Sequence, residues 1–354
     1  MYMKKEKKIA LLGCGYWGQN IVRVIYELNL TLENKVCLLL YDKNINKAKE
    51  LSERFNFSIS KDFNEILSDK EVTAVIIATP SSTHYNIALD ALENNKDVFV
   101  EKPITLSSKE AEKLIHIAES RKKILMAGHI FRFHQGILEL KKRIELGEFG
   151  QIFFLYGFKF GMAIPKEDAG VNLTLAVNDF DIFCFLLNTT FPESILAHKG
   201  TFIRKYNEKD IGLEDIINVS LTFPNNVQGY FIESWLVPVY GRKRELIVVG
   251  SKKTAMLDYL VPNEITFYDF YIKNAPSESK EEFILIQENP SKIIFEFQEP
   301  LKMEIEHFLN CIDSRKEPIT SGKIAYNAIK MCEMANKSAI EGRKIICKEE
   351  LTST

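Results

Sequence analysis

Apolar residues in the first third of the chain fall into short continuous runs: Lys8–Leu12, Val36–Tyr41, Ala74–Ala78, Asp97–Val100 and Ile124–Ala127. Runs of this length, rich in Val, Ile and Leu with little alternation, are the pattern of strands buried on both faces. Between them lie stretches with helical character, Trp17–Leu30, Lys43–Arg54, Asp62–Ser68, Tyr85–Asn94 and Ser107–Arg121. In the last of these Ala111, Leu114, Ile115 and Ala118 form one apolar stripe. Strands alternating with helices predict an α/β domain built on a doubly wound parallel sheet, a Rossmann-type fold. A helix over Gln135–Leu146 ends at Gly147, a good stop signal.

From Gln151 the pattern changes to longer alternating segments: Ile152–Phe160, Ser194–Phe202, Ile216–Phe223, Gln228–Leu236, Arg244–Val249, Ala255–Tyr259 and Glu264–Tyr271. Strand following strand through short turns predicts a large, mainly antiparallel sheet with one face on helices. Asn274–Glu282 reads as a polar loop, and Leu301–Arg315 and Ile324–Ile340 as closing amphipathic helices. The expected division is a dinucleotide-binding domain over residues 1–127 and an α+β substrate and oligomerisation domain over 128–354, with the final helices free to pack back on the first.

Composition narrows the class. The 354 residues exceed what one hydrophobic core usually serves, so two domains are the natural expectation. A net charge of −2 gives no electrostatic case for nucleic acid or an anionic membrane surface. No apolar run approaches the roughly 18–20 residues that span a bilayer. The apolar stretch after the basic N-terminus, Ile9–Leu12, is too short for a signal peptide. Six scattered cysteines without metal spacing predict reduced thiols in a cytoplasmic protein and no metal site.

The candidate chemistry sits where the first strands end. Gly13-Cys14-Gly15-Tyr16-Trp17-Gly18 is G-x-G-x-x-G placed between a strand and a helix. Glycines there allow a tight turn and close approach to a pyrophosphate, and the helix start supplies N–H groups and positive dipole. Asp42 ends the second strand, where an acid holds the adenine ribose hydroxyls; its charge repels a 2′-phosphate and favours NAD over NADP. Thr79, Pro80 and Ser81 form a turn at the third strand end that can cap the next helix. His84 follows, either beside the cofactor or exposed. Glu101-Lys102-Pro103 closes the strand Asp97–Val100 and so stands at the edge where parallel sheets bind ligands. A lysine there can exchange a proton with a substrate oxygen, although a strand-end Lys-Pro is also an ordinary solvated exit. His129 and Arg132, after the next strand, read equally as substrate contacts or as structural groups. Tyr156, Lys159, Trp235 and Tyr240 are further candidates that nothing singles out, and His116, His134, His198 and His307 read as structural.

These motifs in this order, Gly13-x-Gly15-Tyr16-Trp17-Gly18, Ala78-Thr79-Pro80-Ser81-x-Thr83-His84 and Val100-Glu101-Lys102-Pro103, resemble the Gfo/Idh/MocA family of NAD(P)-dependent oxidoreductases. The resemblance extends through Met126–Phe133, Leu146–Ile152 and Pro300-Leu301-x-x-Glu304-Ile305-x-His307-Phe308. It implies that Lys102 lies beside the nicotinamide and the substrate, that the His129–Arg132 segment reaches the active site, and that the protein forms dimers or tetramers through the second sheet. It places Tyr16, Trp17, Thr79, Pro80, Ser81, His84 and Glu101 with the glycines and Asp42 at the cofactor.

One motif departs. On the helix Val171–Leu187 the family has Asp, three residues, His, Asp, any residue, Asp, whereas this chain has Thr174 and Asn178 at the first two of those positions. Asparagine orients by hydrogen bonds but has no proton to exchange near neutral pH. The expectation is an NAD-dependent oxidoreductase of a sugar, nucleotide-sugar or cyclitol, with Lys102 in the proton step and Thr174 and Asn178 positioning the substrate. The alternative is a catalytically silent NAD- and ligand-binding sensor or partner subunit, and a further one is the NAD-dependent glycosidase chemistry of one branch of the family.

Overall fold

The structure, a computed structural model, describes residues 7–31, 35–203, 213–238, 242–261, 263–276 and 281–348. Its elements in chain order are β1 (Lys7–Leu12), α1 (Tyr16–Asn29), β2 (Val36–Tyr41), α2 (Ile45–Phe55), β3 (Ser58–Ile59), α3 (Phe63–Ser68), β4 (Val72–Ile77), α4 (His84–Glu93), β5 (Asp97–Glu101), α5 (Ser108–Ser120) and β6 (Leu125–Gly128). There follow α6 (Gln135–Glu145), β7 (Ile152–Gly161), α7 (Val177–Leu186), β8 (Ser194–Gly200), β9 (Ile216–Thr222), β10 (Gln228–Ser234), β11 (Arg242–Gly250), β12 (Thr254–Asp258) and β13 (Glu264–Tyr268). The chain closes with β14 (Phe270–Pro276), β15 (Glu281–Gln287), β16 (Ser291–Ile294), α8 (Pro300–Ser314), α9 (Gly322–Glu341) and β17 (Ile345–Ile346). The chain divides into two compact units, residues 7–133 with 298–329 and residues 134–297 with 330–348.

In the first unit six parallel strands run in the order β3-β2-β1-β4-β5-β6. The order reverses between β1 and β4, the switch point at which open α/β sheets bind ligands. All five residues of β5 are buried, and helix α8 packs along it in the opposite direction. Three contacts set that register. Arg315, just past the end of α8, pairs through both guanidinium nitrogens with Asp97 at the start of β5, one bond being 2.9 Å. The Phe308 and Phe99 rings lie 5.6 Å apart, and Leu301, Ile305 and Phe308 join the core formed by β1, β2 and α1.

The second unit holds a nine-stranded sheet of order β16-β13-β12-β11-β7-β10-β9-β8-β17. It is mostly antiparallel, but β7 and β10 pair in parallel, because the chain leaves β7 through α7 and two further strands before it returns. Helix α7 covers one face, with Phe180 and Phe183 both edge-on to Phe231 of β10. The expected loop Asn274–Glu282 is instead largely a hairpin: β14 and β15 pair from Phe270↔Gln287 to Pro276↔Glu281. Ladder bonds come from the backbone, so polar side chains do not prevent pairing. Tyr240 and residues 277–280 lie outside the described residues. Among the described residues no helix is long and apolar enough to cross a membrane.

Against the inner face of this sheet, Lys159 of β7 is buried beside two buried carboxylates, Asp179 of α7 and Glu233 of β10. Its ammonium ion-pairs with Asp179, lies 3.2 Å from Glu233 Oε1 and 5.5 Å from the centre of the Tyr259 ring. Burial, and secondly the charge of Asp179, push the Glu233 carboxyl well above the usual carboxylate range. One cation therefore faces one net anion, the arrangement that desolvation tolerates. His134, which caps α6 by accepting the Gly136 N–H at Nδ1 (3.1 Å), stands edge-on to Tyr259.

Two predictions follow from this core. Lys159→Met strands two buried acids without a cation and should cost about 3–5 kcal/mol, read as a lower urea midpoint; a wild-type midpoint would show that the cluster is not a stabilising unit. Burial lowers the His134 pKa from 6.5 to about 4, so on acidification the unfolded chain takes up the proton before the folded one. His134 stabilisation is then complete above pH 6.5 and fades as pH falls through 4, a loss of about 2–3 kcal/mol by the low end of that window. His134→Gln should lose less stability than wild type between neutral and acidic pH in urea titrations; equal losses would remove His134 from the account.

Candidate active site

The carboxyl ends of the parallel strands bring the loops of the first unit to one edge. Gly13 leaves β1 with φ +97°, and a Cβ there would lie 2.6 Å from the Ala78 carbonyl oxygen. A Cβ on Gly18 would lie 1.9 Å from the Gly13 oxygen, so helix α1 approaches the loop as only glycine permits. Gly15, by contrast, faces open space, and it opens α1 with no side chain capping the helix N–H groups. Tyr16 is 76% exposed and meets Trp17 edge-on. Close-packed glycines on either side of an open, uncapped one make the cradle that a dinucleotide pyrophosphate fits.

Asp42, at the end of β2, is fixed by the loop it faces. Its Oδ2 accepts the Cys14 N–H at 2.7 Å and its Oδ1 the Asn44 N–H at 2.8 Å. Both oxygens keep lone pairs for ribose hydroxyls. Cys14 is no nucleophile: burial, then the charge of Asp42, push its thiol up to about 12.

At the ends of β4 and β5, His84 joins two loops. It is buried, with Nδ1 2.7 Å from the Pro103 carbonyl oxygen and Nε2 2.9 Å from that of Thr79. The Thr83 hydroxyl bonds Thr79 Oγ1 and the Pro80 carbonyl, both at 2.7 Å; Pro80 is exposed, and Ser81 is buried at the start of the turn. Glu101 is buried, and its Oε2 accepts the Lys102 N–H at 3.3 Å. Lys102 itself is half-buried, and its peptide to Pro103 is cis. Thus Thr79, His84, Pro103, Glu101 and Lys102 form one connected corner.

His129 and Arg132 follow β6 and are buried; the guanidinium of Arg132 donates to the Ile319 carbonyl at 3.2 Å, in the turn after α8. In the second unit the expected continuous helix opens with a π-helical turn, Asn172–Ala176. Thr174 and Asn178 are buried, and each turns back on its own backbone: Thr174 Oγ1 donates to Gly170 O (2.8 Å) and Asn178 Nδ2 to Leu175 O (3.0 Å). The neighbouring Asp179 belongs to the Lys159 cluster, and Asp215 accepts the Trp235 indole N–H at 2.8 Å. Sequence reasoning gave no role to Glu233, Asp215 or Glu304; each is fully buried.

Comparison with known proteins identifies the family. The profile of the Gfo/Idh/MocA oxidoreductase family with an NAD-binding Rossmann fold matches residues 7–129, and that of the GFO/IDH/MocA C-terminal domain matches residues 137–256. The scyllo-inositol 2-dehydrogenase (NAD(+)) of Bacillus subtilis (strain 168) is 27% identical over 333 residues, 90% of each chain. The myo-inositol 2-dehydrogenase of Thermotoga maritima is 23% identical over 349 residues, 97% of this chain and 99% of that one. A solved structure of levoglucosan dehydrogenase in complex with NADH shares the fold, with a TM-score of 0.81 at 18% identity over 96% of this chain and 99% of that one. With a glycine cradle, a strand-end acid and a strand-end lysine on one sheet edge, and both domain profiles matched in order, the chain belongs to the Gfo/Idh/MocA family of nicotinamide-dependent oxidoreductases.

Proposed function

We propose that this chain is an NAD-dependent dehydrogenase acting on a hydroxyl-bearing carbon of a sugar, cyclitol or nucleotide-sugar. The observation that carries the reading is the corner at Lys102, on the same sheet edge as the glycine cradle and Asp42. The two inositol dehydrogenases cited above are consistent with the substrate class. The nicotinamide, when bound, exchanges a hydride with the substrate carbon. Lys102 takes the hydroxyl proton during oxidation, or returns it to the carbonyl oxygen in the reverse direction. His84 and Glu101 fix the backbone on either side of Lys102. His129 and Arg132 contact a substrate hydroxyl or carboxylate, and Thr174 and Asn178 orient the substrate without exchanging protons. Asp42, held ready by two backbone N–H groups, accepts from the adenine ribose and repels a 2′-phosphate, hence NAD rather than NADP.

A second reading, a ligand-responsive NAD-binding protein without turnover, is favoured by one observation. Thr174 and Asn178 donate to their own helix carbonyls. We also propose a dimer or tetramer formed by the outer face of the second sheet, where Tyr230 pairs in register with Tyr156 and both are more than a third exposed. None of the six cysteines is in a disulfide, exposed Cys37 included, which suits a reducing cytoplasm.

Lys102→Ala should keep NAD affinity, measured by fluorescence titration, while turnover on a polyol panel falls by about two to four orders of magnitude; near-normal turnover would sink the mechanism. Asp42→Ala should weaken NAD binding by roughly tenfold or more, the loss of a charge-assisted hydrogen bond, and bring the NAD and NADP dissociation constants together. An unchanged preference would take Asp42 out of the site.

A further inference from the structure

Glu304 is a carboxyl group inside the first unit that the proposed reaction leaves unused. It lies in the second turn of α8, is 0% exposed, and neither of its oxygens has a hydrogen-bond partner among the described residues. An ionised carboxylate in that position would lose its hydration and gain nothing in return, so the group is held neutral. Burial, and after it the charge of Glu101, push it well above the ordinary carboxylate range. A neutral carboxyl carries an O–H that needs an acceptor.

Register supplies that acceptor. Arg315 meets Asp97 and Phe308 meets Phe99, so α8 descends as β5 ascends. One turn back from Phe308 on the same helix face is Glu304, and two residues on from Phe99 on the same strand face is Glu101. A helical turn advances about 5.4 Å and two strand residues about 6.6 Å, so the two side chains arrive together where β5 ends. Glu101 is walled in at that point: its Oε2 holds the Lys102 N–H, and a Cβ on Gly128, its partner on β6, would lie 3.0 Å from that oxygen.

We propose that Glu304 is a positioning residue: its carboxyl donates a hydrogen bond to the Glu101 carboxylate, and the one proton shared by the pair holds the acid that sets the Lys102 backbone. The effect on turnover rests on the function proposed above; the shared proton does not.

The test uses the full chain and two variants. In infrared difference spectra at neutral pH, wild type minus Glu304→Gln should show the carbonyl stretch of a protonated carboxylic acid, with Glu233, the other neutral buried acid of this kind, cancelling. The same band should shift in Glu101→Gln. In turnover, Glu304→Gln keeps a donor and should stay within about threefold of wild type, whereas Glu304→Leu removes it. The leucine variant should lose about ten- to a hundredfold in kcat with little change in substrate KM, the size of effect expected from a misplaced catalytic group. A flat difference spectrum, or a band indifferent to Glu101→Gln, overturns the shared proton whether or not the wild type turns over any substrate. A glutamine variant as impaired as the leucine one, or a leucine variant with wild-type kcat, overturns the positioning role. Absence of turnover in wild type, with the infrared bands present, counts against the dehydrogenase reading alone.

Discussion

Strand β5 is held at its start, its middle and the loop beyond its end, and Lys102 follows it directly. Its five residues are buried. Its first residue is clamped by Arg315 and also accepts the Ile124 N–H. Its middle packs on Phe308, and the loop beyond it is tied through Pro103 to His84. A catalytic group must be placed to a fraction of an ångström to act on a bound substrate. In the proposed reaction Lys102 would draw that placement from backbone and core, since a long lysine side chain cannot supply it alone.

The second unit solves a different problem. Its helix α7 follows a π turn and then runs between apolar partners, carrying three buried polar residues within four positions, Asn178, Asp179 and Asp181. Burying so much polarity in one turn is tolerable only with compensation, and for Asp179 the compensation is Lys159. Thr174 and Asn178 stand where the resemblance implies an acid and a base, and each donates to a nearby backbone carbonyl, Gly170 and Leu175 respectively. In the proposed dehydrogenase, proton exchange therefore falls to the strand-end lysine.

Much of the first unit could be read from the sequence because its rules are local. A strand buried on both faces is a continuous apolar run, a glycine loop before a helix is contiguous, and the carboxyl edge follows from strand direction. The second unit resisted where the signal is non-local. In Ile152–Gly161 apolar residues occupy both parities, so alternation cannot say which side is inward, and Lys159 passes for a solvent-facing residue. Glu233 shares its parity with the core residue Phe231, but only the parallel pairing of β10 with β7 brings it to Lys159. Glu304 and Glu306 look alike in an amphipathic helix; the first faces the core and the second does not. Thr174 and Asn178 were identifiable as departures, but periodicity does not reveal the π turn on which Thr174 sits.

The contribution of α8 has a consequence for how the chain can be cut. The nucleotide-binding unit is not a contiguous segment: the layer that covers β5 arrives some 200 positions later, at Pro300–Ser314. A fragment ending near residue 133 would have every strand of its sheet but would expose Phe99 and leave the carboxyl of Glu101 facing water. During synthesis the same half emerges first and waits for α8, exposed to aggregation and to chaperones until residues 300–314 have been made.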